Sequence, residues 1–145
     1  MKVEIDHILD ANPRNIIGLM SGTSADGIDA ALVAVSGCGA ETRWELKGFV
    51  TVPFDEALRT EIIGIQDPKA DRVLPRLSAL NYRLGDVYAE ACRKLVDRVG
   101  ARMDDIHLIG CHGQTVFHDT GQSDRPDFVR STFQCGEPGA LAERT

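Results

Sequence analysis

The stretch from Asn15 to Ser36, NIIGLMSGTSADGIDAALVAVS, constrains the fold more than any other part of the chain. Ile16, Ile17, Leu19 and Met20 form one apolar run and Ile28–Val35 a second, with only small and polar residues, Ser21–Gly27, between them. Apolar runs bounded by Gly and Asp predict strand, turn, strand. Gly22 and Gly27 permit positive φ and let a ligand approach the backbone with no Cβ in the way. Thr23 and Ser24 add hydroxyl donors, and successive N–H groups in such a turn make a concave site suited to phosphate. Asp26 and Asp29 offer carboxylate oxygens to Mg²⁺, which prefers oxygen ligands and arrives with substrate phosphates. The competing reading is a plain hairpin connector, because short Gly-rich matches arise often by chance.

Composition narrows the class. A chain of 145 residues is one domain by the usual prior and can bury a real core. With 43% hydrophobic and 26% charged residues it reads as an ordinary globular protein. A net charge of −6 argues against general binding to nucleic acid or anionic membranes. No apolar run approaches the roughly 20 residues of a membrane span, and MKVEIDHILDANPRN is too acidic and polar for a signal peptide. A cytoplasmic location is expected. The four cysteines, Cys38, Cys92, Cys111 and Cys135, include no CxxC pair, so reduced structural thiols are the default. Cys111 and His112 are adjacent and would point to opposite faces of a strand, which argues against a shared metal or nucleophilic role.

The remaining chain alternates strands and helices. Residues 1–14 form an extension that Asn12-Pro13 separates from the first strand. Trp44–Pro53 alternates as a third strand, with Trp44, Leu46, Phe49 and Val52 as its apolar members. Asp55 is an N-cap for a short helix, Glu56–Ile65. Ala70–Val99 carries the strongest helical signal: Leu74, Leu77, Asn81, Leu84, Tyr88, Ala91, Leu95 and Val99 recur at steps of three and four. Pro75 fits its first turn and Gly100 stops it. Asn81, on the apolar side, either hydrogen-bonds within the core or faces a ligand cleft.

Ile106–Gly110 reads as a short buried strand, parallel because a long helix precedes it. Ligands collect at the carboxyl ends of such strands, which draws attention to His112, Gly113, Gln114 and Thr115. His112 can donate to a hydroxyl or carboxylate, and Gln114 both donates and accepts. The bland alternative is a strand-to-turn connection with a hydrogen-bonded core histidine. His118 reads as a surface residue, and His7 and His107 as structural or exposed. Gly121–Arg130 is a polar loop, Ser131–Cys135 a strand, and a helix begins near Gly139. Glu137 either caps that helix or accepts from a sugar hydroxyl.

Three blocks carry a family resemblance. GLMSGTSADGIDAALV resembles the opening signature of the anhydro-N-acetylmuramic acid kinases, within the actin/hexokinase/Hsp70-like ATPase superfamily. GCHGQTVFHDT (Gly110–Thr120) and FQCGEPGALAERT (Phe133–Thr145) are similar to later stretches of that family, in the same order. The resemblance implies an α/β fold: the N-terminal portion of a ribonuclease-H-like, actin-like ATPase domain, with an antiparallel β-meander followed by helices and a parallel strand. Residues 15–145 would then be an incomplete domain I, the N-terminal lobe of a sugar kinase.

The same resemblance implies ATP and Mg²⁺ as cofactors. Gly22, Thr23, Ser24, Ala25, Asp26, Gly27, Ile28 and Asp29 match the ATP-phosphate segment, with Asp26 or Asp29 holding the metal directly or through water. Ala25 stands where the family often has a larger apolar residue, a change expected to be tolerated. His112, Gly113, Gln114, Thr115 and Glu137 fall to the sugar side. The implied reaction opens the 1,6-anhydro ring with water and phosphorylates O6, yielding N-acetylmuramic acid 6-phosphate for cell-wall recycling. In the family the proposed general base, an aspartate, lies beyond the position of Thr145, so no catalytic residue is assigned within this chain. About two-fifths of the expected enzyme is covered, and the isolated chain is expected to lack kinase activity, to expose apolar edges and to self-associate. A homodimer is a further expectation for the full-length enzyme. Two alternatives stand beside this reading: a levoglucosan-type anhydro-sugar kinase, and a non-catalytic phosphate- or sugar-binding remnant.

Overall fold

The computed structural model describes residues 5–119 and 129–145. Residues 14–53 form the expected meander of β1 (Arg14–Ser21), β2 (Gly27–Ser36) and β3 (Arg43–Pro53). β1 and β2 run antiparallel from Arg14↔Val35 to Met20↔Asp29, which leaves residues 22–26 as the connecting loop. β2 and β3 continue the antiparallel pairing, with one irregularity: Leu32 opposes Gly48 and Val33 opposes Leu46, leaving Lys47 without a partner. An extra residue of this kind flips the face of every residue beyond it.

That bulge corrects the expected apolar face of β3. Val50 and Val52 point into the core, whereas Trp44, Leu46 and Phe49 share the opposite face, where Trp44 is 71% exposed. The alternation read across Lys47 had merged residues of two faces.

The inner face is covered by α2 (Glu56–Gln66) and α3 (Val73–Val99). Ile17, Leu19, Ile28, Ala30, Leu32, Val50 and Val52 from the sheet meet Leu58, Ile62, Leu84, Tyr88 and Leu95 from the helices. Each large aliphatic side chain buried there contributes about 1.5–3 kcal/mol. Asp55 caps α2, its Oδ1 accepting from Leu58 N at 2.6 Å. Gly100 ends α3 with φ of 69°, and Ala101 N donates back to Val96 O. α3 starts three residues later than expected, after Arg72 in a left-handed conformation, and Leu74 is therefore 78% exposed instead of joining the apolar stripe.

β4 (Leu108–Asp119) lies parallel to β1, from Ile16↔Leu108 to Leu19↔Cys111. It is longer than Ile106–Gly110, because its second half pairs antiparallel with β5 (Ser131–Cys135). His112–Thr115 thus sit inside a strand and not beyond its end. The five-stranded sheet has the order β3-β2-β1-β4-β5. After β5, α4 (Pro138–Arg144) packs on α3 at Gly85, where a Cβ would come within 2.8 Å of the Ala140 methyl. A short helix, α1 (Ile5–Asp10), precedes the sheet; Arg14 donates to its Ile8 and Leu9 carbonyls at 2.9 and 2.8 Å. Among the described residues no helix is long and apolar enough to cross a membrane. Most of the expected 121–130 loop falls outside the described residues.

Candidate functional site

The β1–β2 loop makes a tight turn, in which Ala25 N donates to Gly22 O at 3.3 Å. Gly22 and Gly27 permit positive φ, but the loop residue that adopts it is Ala25, at 51°. An alanine there costs about 1–2 kcal/mol of backbone strain. Its methyl group is fully buried, which helps hold that conformation. Gly27 has a different reason to be glycine: a Cβ would lie 2.5 Å from Val52 O, so β3 could not approach. At Gly22 a Cβ would meet nothing within 4 Å, and the space outside the loop is open.

That space is a cavity of about 410 Å³ lined by Met20, Ser21, Gly22, Ser24, Asp26, Gly27, Asp29 and Thr51. Among the described residues, nothing accepts from the N–H groups of Thr23, Ser24 or Asp26. Ser24 Oγ donates to Asp26 Oδ1 at 3.0 Å, and Thr51 Oγ1 donates to Asp29 Oδ1 at 2.6 Å. The donor set suits a hard cation. Two carboxylates and two hydroxyls on one cavity wall provide only oxygen, and Mg²⁺ is commonly held by one or two carboxylates together with phosphate and water. Among the described residues no group of three His, Cys, Asp or Glu side chains gathers to make a closed metal cage. Ile28 is fully buried on the core face of β2, so only its backbone borders this region. Thr51 went unnoticed in the sequence because β3 offers no local signal; its register opposite Asp29 brings it in.

His112 and Cys111 do fall on opposite faces, with the histidine exposed and the thiol partly buried. His112 falls in the irregularity between Leu19↔Cys111 and Ser21↔Gln114, and it does not line the cavity of Asp26 and Asp29. The His112 Nδ1 lies 3.0 Å from Gly113 O. Gly113, at φ of 80°, leaves no room for a Cβ, which would sit 2.8 Å from Cys135 O; the close approach is by β5. Thr115 is nearly buried.

Gln114 is placed unlike a ligand contact. Its side chain is fully buried, its Nε2 donates to Gly22 O at 2.7 Å and Thr115 O at 3.0 Å, and its Oε1 accepts from Ser21 Oγ at 2.5 Å. With both ends of the amide bonded inside the protein, nothing remains for a substrate.

Glu137 belongs to a second cluster. Its Oε1 accepts from Gly139 N at 3.2 Å, capping α4, and its Oε2 accepts from Asn81 Nδ2 at 3.0 Å. Asn81 Oδ1 in turn accepts from Gly136 N at 2.8 Å, so Asn81 clasps the turn before α4. Between the two clusters stands Tyr88, whose hydroxyl is buried and makes no hydrogen bond among the described residues. Burial, with the Cys111 thiol nearby, pushes its pKa up, while the Ser21 hydroxyl pulls the other way. Burial also pushes the Cys111 and Cys135 thiols up.

A larger groove between α2 and α3, about 770 Å³, carries arginines but little free charge. Arg76 pairs with Glu61 at 2.9 Å and Arg83 with Asp55 at 3.4 Å.

Residues 14–145 match the family model described as anhydro-N-acetylmuramic acid kinase. A protein of that name from Caldanaerobacter subterraneus subsp. tengcongensis is 45% identical over 139 residues, which is 95% of this chain and 35% of the relative. Another, from Bacillus thuringiensis subsp. konkukian, is 38% identical over 133 residues, covering 90% of this chain and 33% of the relative. The chain spans about a third of the length of the curated relatives it matches.

Proposed function

The chain belongs to the anhydro-N-acetylmuramic acid kinase family, and from that premise we propose that it supplies the phosphate-binding side of an ATP-dependent anhydro-sugar kinase. The reaction proposed for the whole enzyme begins with water attacking the anomeric carbon of 1,6-anhydro-N-acetylmuramic acid. The C1–O6 bond breaks, O6 attacks the γ-phosphorus of ATP, and ADP leaves, giving N-acetylmuramic acid 6-phosphate. The proton lost by water goes to a base outside the residues assigned here. A place in peptidoglycan recycling follows from that product.

The observation that carries this reading is the single cavity bringing Gly22, Ser24, Asp26 and Asp29 together beside unbonded loop N–H groups. Phosphoryl transfer is mainly positioning and charge stabilisation. The N–H groups of Thr23, Ser24 and Asp26 would hold phosphate oxygens, and the open side of Gly22 would let them approach. Asp26 and Asp29 would hold Mg²⁺, which neutralises charge on the phosphates when bound. His112, exposed on β4, is the candidate for the sugar side, with Gly113 and Thr115 beside it in the strand. Glu137 keeps a sugar contact only if its cap or its bond to Asn81 yields.

The test is ADP release by the gene-encoded protein, with Mg·ATP and the anhydro-sugar as substrates. Sugar-dependent turnover is expected, with Asp26→Asn and Asp29→Asn each raising the Mg²⁺ needed for half-maximal rate about tenfold. ADP release that ignores the sugar would overturn the substrate assignment. A Mg²⁺ requirement unchanged in both variants would overturn the metal assignment.

A further inference from the structure

We infer that Gln114 is a positioning residue for the β1–β2 loop, a clamp that holds its entry at Gly22 from a strand far away in sequence. The inference rests on the reading of that loop as the phosphate site, and it changes the role expected of Gln114 from sugar contact to loop support. Gln114 and Gly22 are 92 positions apart, yet Nε2 lies 2.7 Å from Gly22 O. The amide orientation follows from chemistry: two N–H groups face the two carbonyls of Gly22 and Thr115, and the oxygen faces the Ser21 hydroxyl. Turned over, the amide would set its oxygen against both carbonyls.

The bonds are arranged around the loop's two ends. Gly22 O, at the entry, accepts from Gln114 Nε2 and also from Ala25 N, the bond that closes the turn. Ser21 Oγ lies 2.5 Å from Gln114 Oε1 and 2.9 Å from Gly27 O at the exit, two acceptors that compete for its one proton. The Gly22 carbonyl is thereby drawn inward to the buried amide, while the N–H groups of Thr23, Ser24 and Asp26 have no acceptor among the described residues. The strained Ala25 sits between the entry and the exit. Without the clamp, Gly22 O loses one of its two partners and the turn is free to relax. Buried, fully satisfied polar groups of this kind specify one conformation more than they add stability.

The variant that decides is Gln114→Met, close in volume and unable to donate or accept strongly. Exchange of the Ala25 amide, whose bond to Gly22 O closes the turn, should speed up about tenfold relative to wild type, with β2 and β3 core amides unchanged. In the gene-encoded protein, KM for Mg·ATP should rise about tenfold with KM for the anhydro-sugar unchanged. A residue with only a general structural role would lower the active fraction, and kcat with it, and leave the ATP KM alone. Gln114→Glu, with at most one donor in place of two, should fail to restore the loop. Unchanged exchange at the Ala25 amide overturns the clamp. Faster loop exchange with an unchanged ATP KM leaves the clamp standing and overturns the phosphate reading instead. If Gln114→Met does not fold, Ser21→Ala is read the same way, since it removes the hydroxyl that faces the Gln114 amide oxygen.

Discussion

Two polar clusters, one buried around Gln114 and one partly buried around Asn81, differ in what they leave free. In the first, Gln114 and Ser21 bind only carbonyls and each other, so the loop they support keeps its N–H groups for a ligand. In the second, Asn81 and Glu137 bind the N–H groups of the turn themselves, including Gly136 N and Gly139 N. A turn whose N–H groups are already satisfied has less to offer an anion. The difference separates a site held open by its supports from a junction closed by them, although both use side chains of ligand-binding type.

The largest expected effect breaks both clusters together. Gly136 has φ of 140° and a Cβ there would lie 2.8 Å from the buried Tyr88 ring. Gly136→Ala should cost about 3 kcal/mol in urea unfolding; a loss under about 1 kcal/mol would show that the turn relaxes easily. Next is Asn81→Leu, which orphans Gly136 N and takes the donor from Glu137 Oε2. A cost of about 2 kcal/mol is expected, with the ATP KM of the gene-encoded protein unchanged. A shift in that KM would show that the two clusters are coupled, and the contrast drawn between them would fail.

A pH series probes the core between the clusters. Burial pushes the Cys92 thiol from 9.0 up to about 12, and the thiols of Cys111 and Cys135 and the Tyr88 hydroxyl also rise. These groups stay protonated in the folded chain while the unfolded chain releases their protons, so stability is full below pH 9 and falls from pH 9 towards 12. Urea midpoints should decline over that window, and Cys92→Ala should flatten the decline. A flat wild-type profile would contradict it. The smallest effect belongs to Ala25→Gly. Relief of the left-handed strain opposes the lost burial of one methyl and the greater freedom of the unfolded chain, and the net change should stay within about 0.5 kcal/mol. A loss above about 2 kcal/mol would show that packing of this methyl, and not the backbone, dominates the loop.

Local patterns carried the sequence reading a long way. The two apolar runs around SGTSADG specify the hairpin, Asp55 and Gly100 mark helix ends, and the helix before IHLIG predicts a parallel strand, whose partner is β1. The reading weakened wherever the cause was not local. The bulge at Lys47 turns Trp44 and Leu46 outward, and no alternation pattern announces it. β4 extends past Gly110 because β5 supplies partners some twenty residues on. Positive φ falls on Ala25, while the glycine at position 27 serves the approach of β3.

By itself, then, the sequence determined the order of strands and helices, the place of the Gly- and hydroxyl-rich loop, and the family, because periodicity, capping and short motifs are properties of neighbouring residues. Only the tertiary structure decided what the polar side chains do. Gln114 and Glu137 look equally available as ligand contacts in one dimension. Folding brings Gly22 to the first and Asn81 to the second, over separations of 92 and 56 residues. A buried polar group must find partners wherever packing places them, and those partners are set by the meeting of distant segments.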